Sequence, residues 1–108
     1  MSAVEFKSRI VRLVFAARYR ISDHALDALI DDELERADVA DTIAESEVLE
    51  FYPEFGKGPA ILLLQIGTDG RTFHTVWGIP KGATEPAVLI TAYLPDPGKW
   101  DDAFKVRK

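Results

Sequence analysis

Apolar residues recur every three or four positions in the first third of the chain, which is the period of amphipathic helices. The pattern predicts helix 1 over about residues 3–18, with Ser2 and Glu5 forming a capping-box signature at its start. Ser22 can cap a second helix, and a third helix is predicted over about residues 36–45. The N-terminal part of the chain is therefore predicted to be helical.

From Val48 the pattern changes to short runs of β-branched, aromatic and aliphatic residues separated by turn residues, which is typical of strands. An Asp-Gly pair at residues 69–70 predicts a hairpin, because this turn needs positive φ angles. Residues 19–21 are interpreted as an extended link, and residues 100–106 as a short closing helix or tail. The four predicted strands cover residues 48–52, 60–66, 72–79 and 87–93.

Helices followed by strands predict an α+β domain in which two to three helices cover one face of a single sheet. Short connections favour antiparallel neighbours, so the sheet is predicted to be four-stranded and antiparallel. A chain of 108 residues supports one hydrophobic core but not two. We therefore predict a single domain over residues 1–108, with helix 1 in residues 1–18 and the α+β core in residues 19–108.

The chain has no cysteine and a net charge of −5, concentrated in residues 21–54, where twelve acidic residues face Arg36 alone, a balance of −11. The lack of thiols excludes disulfides and favours the cytoplasm. An acidic surface repels polyanions, so the charge disfavours RNA as a partner. The longest apolar stretch, residues 59–64, is far below the roughly 20 residues of a membrane span, and residues 1–20 do not read as a signal peptide.

Two histidines are the first candidates for chemistry. His24 lies at the start of helix 2, where the amide donors of the first turn favour a neutral imidazole that can act as a base. The alternative is a ring packed on the sheet and bonded to a backbone carbonyl. His74 faces the open side of the sheet if Phe73 and Trp77 face the helices, and is buried in the opposite orientation. Alternation alone leaves both orientations open.

Other polar residues give weaker signals. Thr91 and Tyr93 share one face of the last strand and can present two hydroxyls to one ligand, although any half-exposed strand has this spacing. Arg107 and Lys108 belong to a basic C-terminal cluster that is most simply a solvated tail. The two histidines are fifty residues apart and no metal-ligand spacing occurs. We therefore expect neither a metal nor a cofactor.

Five motifs in order resemble a small prokaryotic family of domains of unknown function that is grouped with the RelE-like ribonuclease toxins, in the barnase, EndoU, colicin and RelE fold class. The resemblance covers about residues 18–108. The motifs are Tyr-Arg-Ile-Ser-Asp-His-Ala, Glu-Phe-Tyr-Pro, Gly-Arg-Thr-Phe-His-Thr-Val, Ile-Thr-Ala-Tyr-Leu-Pro-Asp-Pro-Gly-Lys-Trp and Phe-Lys-Val-Arg-Lys.

The resemblance implies a RelE-like fold and a site gathered on the sheet. Such toxins cleave RNA without metal, since a base takes the 2′-hydroxyl proton, an acid protonates the leaving oxygen and a cation stabilises the charged transition state. By this resemblance the two histidines are base and acid, the two arginines are the cations, and the tyrosine supplies a hydroxyl or a stacking surface. The implied catalytic residues are His24, His74, Tyr93 and Arg71, and the implied substrate-binding residues are Thr91, Arg107 and Lys108.

One departure from the family pattern opens an alternative. An arginine is typical four positions after the first histidine, but Ala28 stands there, followed by Leu29, Ile30 and two aspartates. Losing one transition-state donor commonly costs about 3–4 kcal/mol. The resemblance predicts a toxin-type domain of a toxin–antitoxin system, similar to metal-independent endoribonucleases, with an antitoxin or another protein as its partner. The alternatives are an inactive protein-interaction or small-ligand-binding domain of the same fold, and a homodimer formed through helix 1.

Overall fold

The computed structural model describes residues 1–108, which fold into helices followed by a five-stranded sheet. The helices are α1 (Ala3–Phe15), α2 (Asp23–Asp31) and α3 (Arg36–Asp41), followed by a 3-10 turn (Ile43–Glu45). The strands are β1 (Tyr19–Ile21), β2 (Glu47–Tyr52), β3 (Ala60–Ile66), β4 (Thr72–Gly78) and β5 (Ala87–Tyr93). The α+β class is confirmed.

Local hydrogen bonds set the starts of the first two helices. The amide of Glu5 donates to Ser2 Oγ at 3.1 Å and the amide of Ser2 donates to the Glu5 carboxylate at 3.3 Å, so the capping box is confirmed. Ser22 Oγ accepts from the amide of Ala25 at 3.0 Å. Helix α1 ends three residues before its predicted end, because Ala17 adopts a positive φ of 58° that turns the chain towards β1.

The sheet has the strand order β1-β5-β4-β3-β2. Strand β1 pairs in parallel with β5, Tyr19 opposite Ala87, while the other three pairs are antiparallel. The prediction of a four-stranded antiparallel sheet was therefore wrong, since residues 19–21 form a fifth, parallel edge strand. Three residues are too few to show alternation, and the long chain between β1 and β5 supplies the crossover that a parallel pair needs.

One further boundary differs from the predictions. The predicted third helix over residues 36–45 is divided, because α3 stops at Asp41 and a 3-10 turn follows. Of the two alternatives for residues 100–106, a closing helix or a tail, the helix does not form. Instead residues 95–108, called here the C-terminal segment, run irregularly and are closed by a single bridge between Trp100 and Arg107.

The three helices cover one face of the sheet and enclose the core. A buried polar contact fixes α3 there, since Gln65 Nε2 donates to the carbonyl of Val39 at 2.8 Å and Gln65 Oε1 accepts from Thr75 Oγ1 at 2.6 Å. None of the helices has the length and apolar character that crossing a bilayer requires. The core residues are Phe6, Ile10, Val14, Ala25, Leu29, Leu34, Val39, Ile43, Ile61, Leu63, Phe73, Trp77, Ile79, Ala87, Leu89 and Ala92.

The other side of the sheet is called the open face. Phe73 and Trp77 of β4 point into the core, so His74 and Val76 between them point to the open face. The C-terminal segment lies over the His74 end of this face, through the contact of Trp100 with the His74 ring. The open face is therefore divided into a covered end and an uncovered end.

Candidate functional site

His74 is completely buried under the C-terminal segment, although it lies on the open face. Its Nε2 lies 2.7 Å from the carbonyl oxygen of Phe104, and its Nδ1 lies 3.3 Å from the hydroxyl oxygen of Tyr93. A carbonyl only accepts, so Nε2 carries the proton and donates it, while Nδ1 accepts from the Tyr93 hydroxyl. The imidazole is thus held in one tautomer.

Burial also sets the ionisation of this pair. Burial lowers the pKa of His74, and the hydrogen bond to the Phe104 carbonyl, which acts in the opposite direction, offsets this only in part. The imidazole is therefore neutral near pH 7. Burial raises the pKa of Tyr93, so its hydroxyl keeps its proton. In the covered state His74 is a neutral donor and acceptor rather than a charged acid.

A second polar cluster joins strand β2 to the C-terminal segment. Arg107 Nε and Nη2 donate to the two carboxylate oxygens of Glu50 at 2.8 and 3.1 Å, and the Tyr52 hydroxyl donates to the same carboxylate. The bidentate contact with Arg107 is the main reason that the pKa of Glu50 lies below its usual range. Glu50 is therefore an ionised carboxylate bound to a cation.

Trp100 connects the two clusters. Its ring centroid lies 4.5 Å from that of His74 in an edge-to-face contact, and the guanidinium carbon of Arg107 lies 4.6 Å from the Trp100 centroid. Strand β3 separates the strands of Glu50 and His74, so the two backbones are about 10 Å apart across the sheet. Together the clusters place a carboxylate, an imidazole, two phenols and a guanidinium on one end of the open face.

A family model described as "Domain of unknown function (DUF4258)" matches residues 21–94. The chain belongs to the DUF4258 family. The comparisons with curated proteins and with solved structures find no match. The matched DUF4258 region contains His74 and Glu50, whereas Trp100 and Arg107 lie beyond its end. The family description assigns no activity, so a relation to RelE-like toxins stays a prediction.

Two predicted catalytic residues of the DUF4258 domain lie away from this site. His24 is exposed on α2, which packs on the opposite face of the sheet, and its side chain makes no hydrogen bond. Neither a pairing with His74 nor a ring packed on the sheet is found. The Arg71 guanidinium donates to the carbonyls of Asp32 and Glu33 at 3.2 and 2.7 Å. Arg71 thus fastens the end of α2 to the hairpin that precedes β4.

The remaining predicted residues divide between the open face and the chain end. Thr91 lies on the open face opposite Val76 and beside the covered end. Lys108 is exposed, and its backbone amide bonds to Lys99. Arg107 and Lys105 of the basic cluster are exposed to solvent, but both form ion pairs with strand β2, and Lys105 Nζ lies 3.0 Å from the carboxylate of Glu47.

Sequence reasoning missed Glu50 as a member of the site. It is one of twelve acidic residues in its segment of the DUF4258 chain, and nothing in its local pattern separates it from the others. The signal that could have found it is the Glu-Phe-Tyr-Pro motif, which contains both Glu50 and Tyr52. No group of three or more histidine or carboxylate side chains is placed to hold a metal ion.

Proposed function

We propose that this DUF4258 protein is a toxin-type, metal-independent endoribonuclease whose site comprises Glu50, His74 and Tyr93 of the sheet together with Arg107 of the C-terminal segment. The observation that supports it best is that a carboxylate, an imidazole and a guanidinium meet on one sheet face, linked through Trp100. These are the three kinds of group that cleavage at a ribose 2′-hydroxyl requires. An antitoxin or another protein partner is part of the proposal.

The roles follow from the chemistry of each group. Glu50 takes the proton of the 2′-hydroxyl, and the 2′-oxygen attacks the adjacent phosphorus. His74 gives a proton to the leaving 5′-oxygen as the phosphorus–oxygen bond breaks, which leaves a 2′,3′-cyclic phosphate. Arg107 stabilises the negative charge that develops on the phosphoryl oxygens, and Tyr93 orients the His74 ring through Nδ1.

The covered state holds both reacting groups in unsuitable forms. Burial keeps the His74 imidazole neutral, and Arg107 lowers the basicity of Glu50. Movement of Trp100 and of the Phe104 carbonyl away from the imidazole would expose it and let its pKa rise towards the ordinary value. Arg107 would then exchange the carboxylate for a substrate phosphate. We propose that the partner protein controls this displacement.

The test is cleavage of RNA in the presence of EDTA. Trp100→Ala removes the ring that lies against the imidazole, so we expect it to raise cleavage above the wild-type rate. Adding His74→Gln or Glu50→Gln to this variant should lower the rate by about 100-fold or more, which is the usual effect of removing a general acid or base. His24→Ala and Arg36→Ala are matched controls that should leave the rate unchanged.

Two outcomes contradict the ribonuclease proposal. One is cleavage that survives both His74→Gln and Glu50→Gln, which would place the activity elsewhere. The other is intact RNA with both the wild type and the Trp100→Ala variant, each shown to be folded by circular dichroism.

The second outcome would favour a protein-interaction domain without catalysis. The complete burial of His74, with both ring nitrogens hydrogen-bonded, supports this second candidate. So does the exposure of Leu26 and Ile30 on α2, a helix that contains three aspartates. A partner that binds through α2 would be lost with Ile30→Asp, while the RNA results would stay negative.

A further inference from the structure

The uncovered end of the open face forms a groove with a volume of about 440 Å³. Its floor includes Gly78 of β4 with Val88 and Ile90 of β5, and the loop between β2 and β3 forms one wall. The loop can approach closely because Gly58 has a φ of 127°, and a Cβ there would lie 2.1 Å from the carbonyl oxygen of Ile79. The volume is typical of a site for a small ligand or for one unit of a polymer.

The chemistry of the groove is apolar and cationic. Arg20 and Lys57 are its two charged lining residues, and neither forms an ion pair. No carboxylate lines the groove, in a protein whose net charge is −5. Phe55 lines the same groove with half of its surface exposed. An exposed aromatic ring beside two unpaired cations is suited to a flat, anionic ligand.

The groove and the covered end that holds His74 lie on the same face of the sheet. Four positions along β4 separate Gly78 from His74, which corresponds to about 13 Å. Val76 and Thr91 lie opposite each other between these points on the same face. The register shift at Ile90 allows both Ile90 and Thr91 to face this side. A chain molecule bound in the groove and extended along β4 would therefore arrive at the C-terminal segment that covers His74.

We infer that the groove binds single-stranded RNA, with one base stacked on Phe55 and the adjoining phosphates against Arg20 and Lys57. The inference rests on the proposed ribonuclease function. It states which class of RNA the His74 site would act on and that the RNA would bind along β4. Single-stranded nucleic acid binds through a positively charged track combined with aromatic stacking, and this groove provides both. The acidic helices α2 and α3 lie on the other face of the sheet, so the sheet separates their carboxylates from this track.

The experiment measures binding separately from cleavage. A short, fluorescein-labelled 2′-O-methyl oligoribonucleotide lacks the free 2′-hydroxyl and is not cleaved, so its Kd is measured by fluorescence anisotropy with the full-length protein. Phe55→Ala should weaken binding about tenfold, the effect of one lost stacking contact. Arg20→Ala and Lys57→Ala should each lower the slope of log Kd against log salt by about 0.7. Phe15→Ala and Arg36→Ala are the matched controls, because both residues are exposed outside the groove.

The outcomes separate the groove from the catalytic proposal. Binding that depends on Phe55, Arg20 and Lys57 supports the groove even if no RNA is cleaved. Equal binding by wild type and all three groove variants overturns it, whether or not His74→Gln abolishes cleavage. Polyglutamate that displaces the oligonucleotide at equal charge concentration would also overturn it, because the site would then recognise acidic peptides rather than RNA.

Discussion

At the scale of single residues, His74 links the site to the pH dependence of stability. Burial lowers its pKa below the ordinary value of about 6.5, so the unfolded chain takes up a proton at higher pH than the folded chain. The contribution of this residue to the free energy of unfolding is complete above about pH 6.5 and is lost as the pH falls through the folded pKa. The pKa of Glu50 is lowered chiefly by its hydrogen bonds with Arg107, so its own contribution is lost only as the pH falls below the ordinary carboxylate value of about 4.3.

We expect His74→Gln to lose less stability than the wild type between pH 7 and pH 5. The glutamine amide can still donate to the Phe104 carbonyl, so the loss at pH 7 itself should stay near 1 kcal/mol. Urea unfolding followed by circular dichroism at both pH values measures the difference. If the wild type and His74→Gln lost the same free energy of unfolding between pH 7 and pH 5, the pKa of His74 would not be lowered by burial in the folded protein.

The sequence limits the His74 side chain to one of two faces of the sheet, but it does not show which residues surround the ring. Alternation links His74 to the face opposite Phe73 and Trp77, and the structure places both aromatic residues in the core. The burial of His74 comes from Trp100 and Phe104, which are more than twenty residues away in sequence. The local pattern of β4 contains no signal that the C-terminal segment will cover this strand.

At the scale of elements, Arg71 connects α2 to the hairpin before β4. Its guanidinium satisfies the carbonyls of Asp32 and Glu33 at the end of α2, where a helix leaves acceptors without partners. We expect Arg71→Ala to lower the free energy of unfolding by about 1–2 kcal/mol, because charged hydrogen bonds are lost at a partly exposed site. Arg36→Ala, the matched control, should change it by less than about 0.5 kcal/mol.

Variants of Arg71 also distinguish a role in stability from a role in catalysis. Arg71→Lys should recover little of the lost stability, because an ammonium lacks the planar fork that reaches two carbonyls. RNA cleavage per folded molecule should be unchanged in Arg71→Ala. A loss of cleavage without a loss of stability would return Arg71 to the catalytic role that the resemblance implied.

At the scale of the whole molecule, α1 is part of the core although it precedes the region matched by the family model. Phe6 and Ile10 are completely buried, and the Phe6 ring centroid lies 5.4 Å from that of Phe51 on β2. The apolar face of α1 therefore packs on the sheet of the same chain and not on a second copy. A homodimer through α1 would have to use its exposed side, on which Val4 and Phe15 lie.

We expect Phe6→Ala to lower the free energy of unfolding by about 3–5 kcal/mol, because it leaves a cavity between α1 and the sheet. Phe6→Leu, which keeps much of the apolar volume, should cost less than about 2 kcal/mol. Phe15→Ala changes an exposed aromatic residue of the same helix and should have little effect. Unfolding curves at several protein concentrations measure these losses in the free energy of unfolding. If α1 served only to form a dimer, the loss caused by Phe6→Ala would depend on protein concentration.

The sequence by itself determined the elements whose signals are local. The serine caps of α1 and α2, the hairpin at residues 69–70 and the α+β class follow from hydrogen bonds and side-chain periods that span a few residues. The tertiary structure decided the parallel pairing of β1 with β5, the joining of Glu50 to Arg107 and the cover over His74. These contacts join residues 26 to 68 positions apart, and they stabilise the fold only after the chain has closed those loops and packed its core.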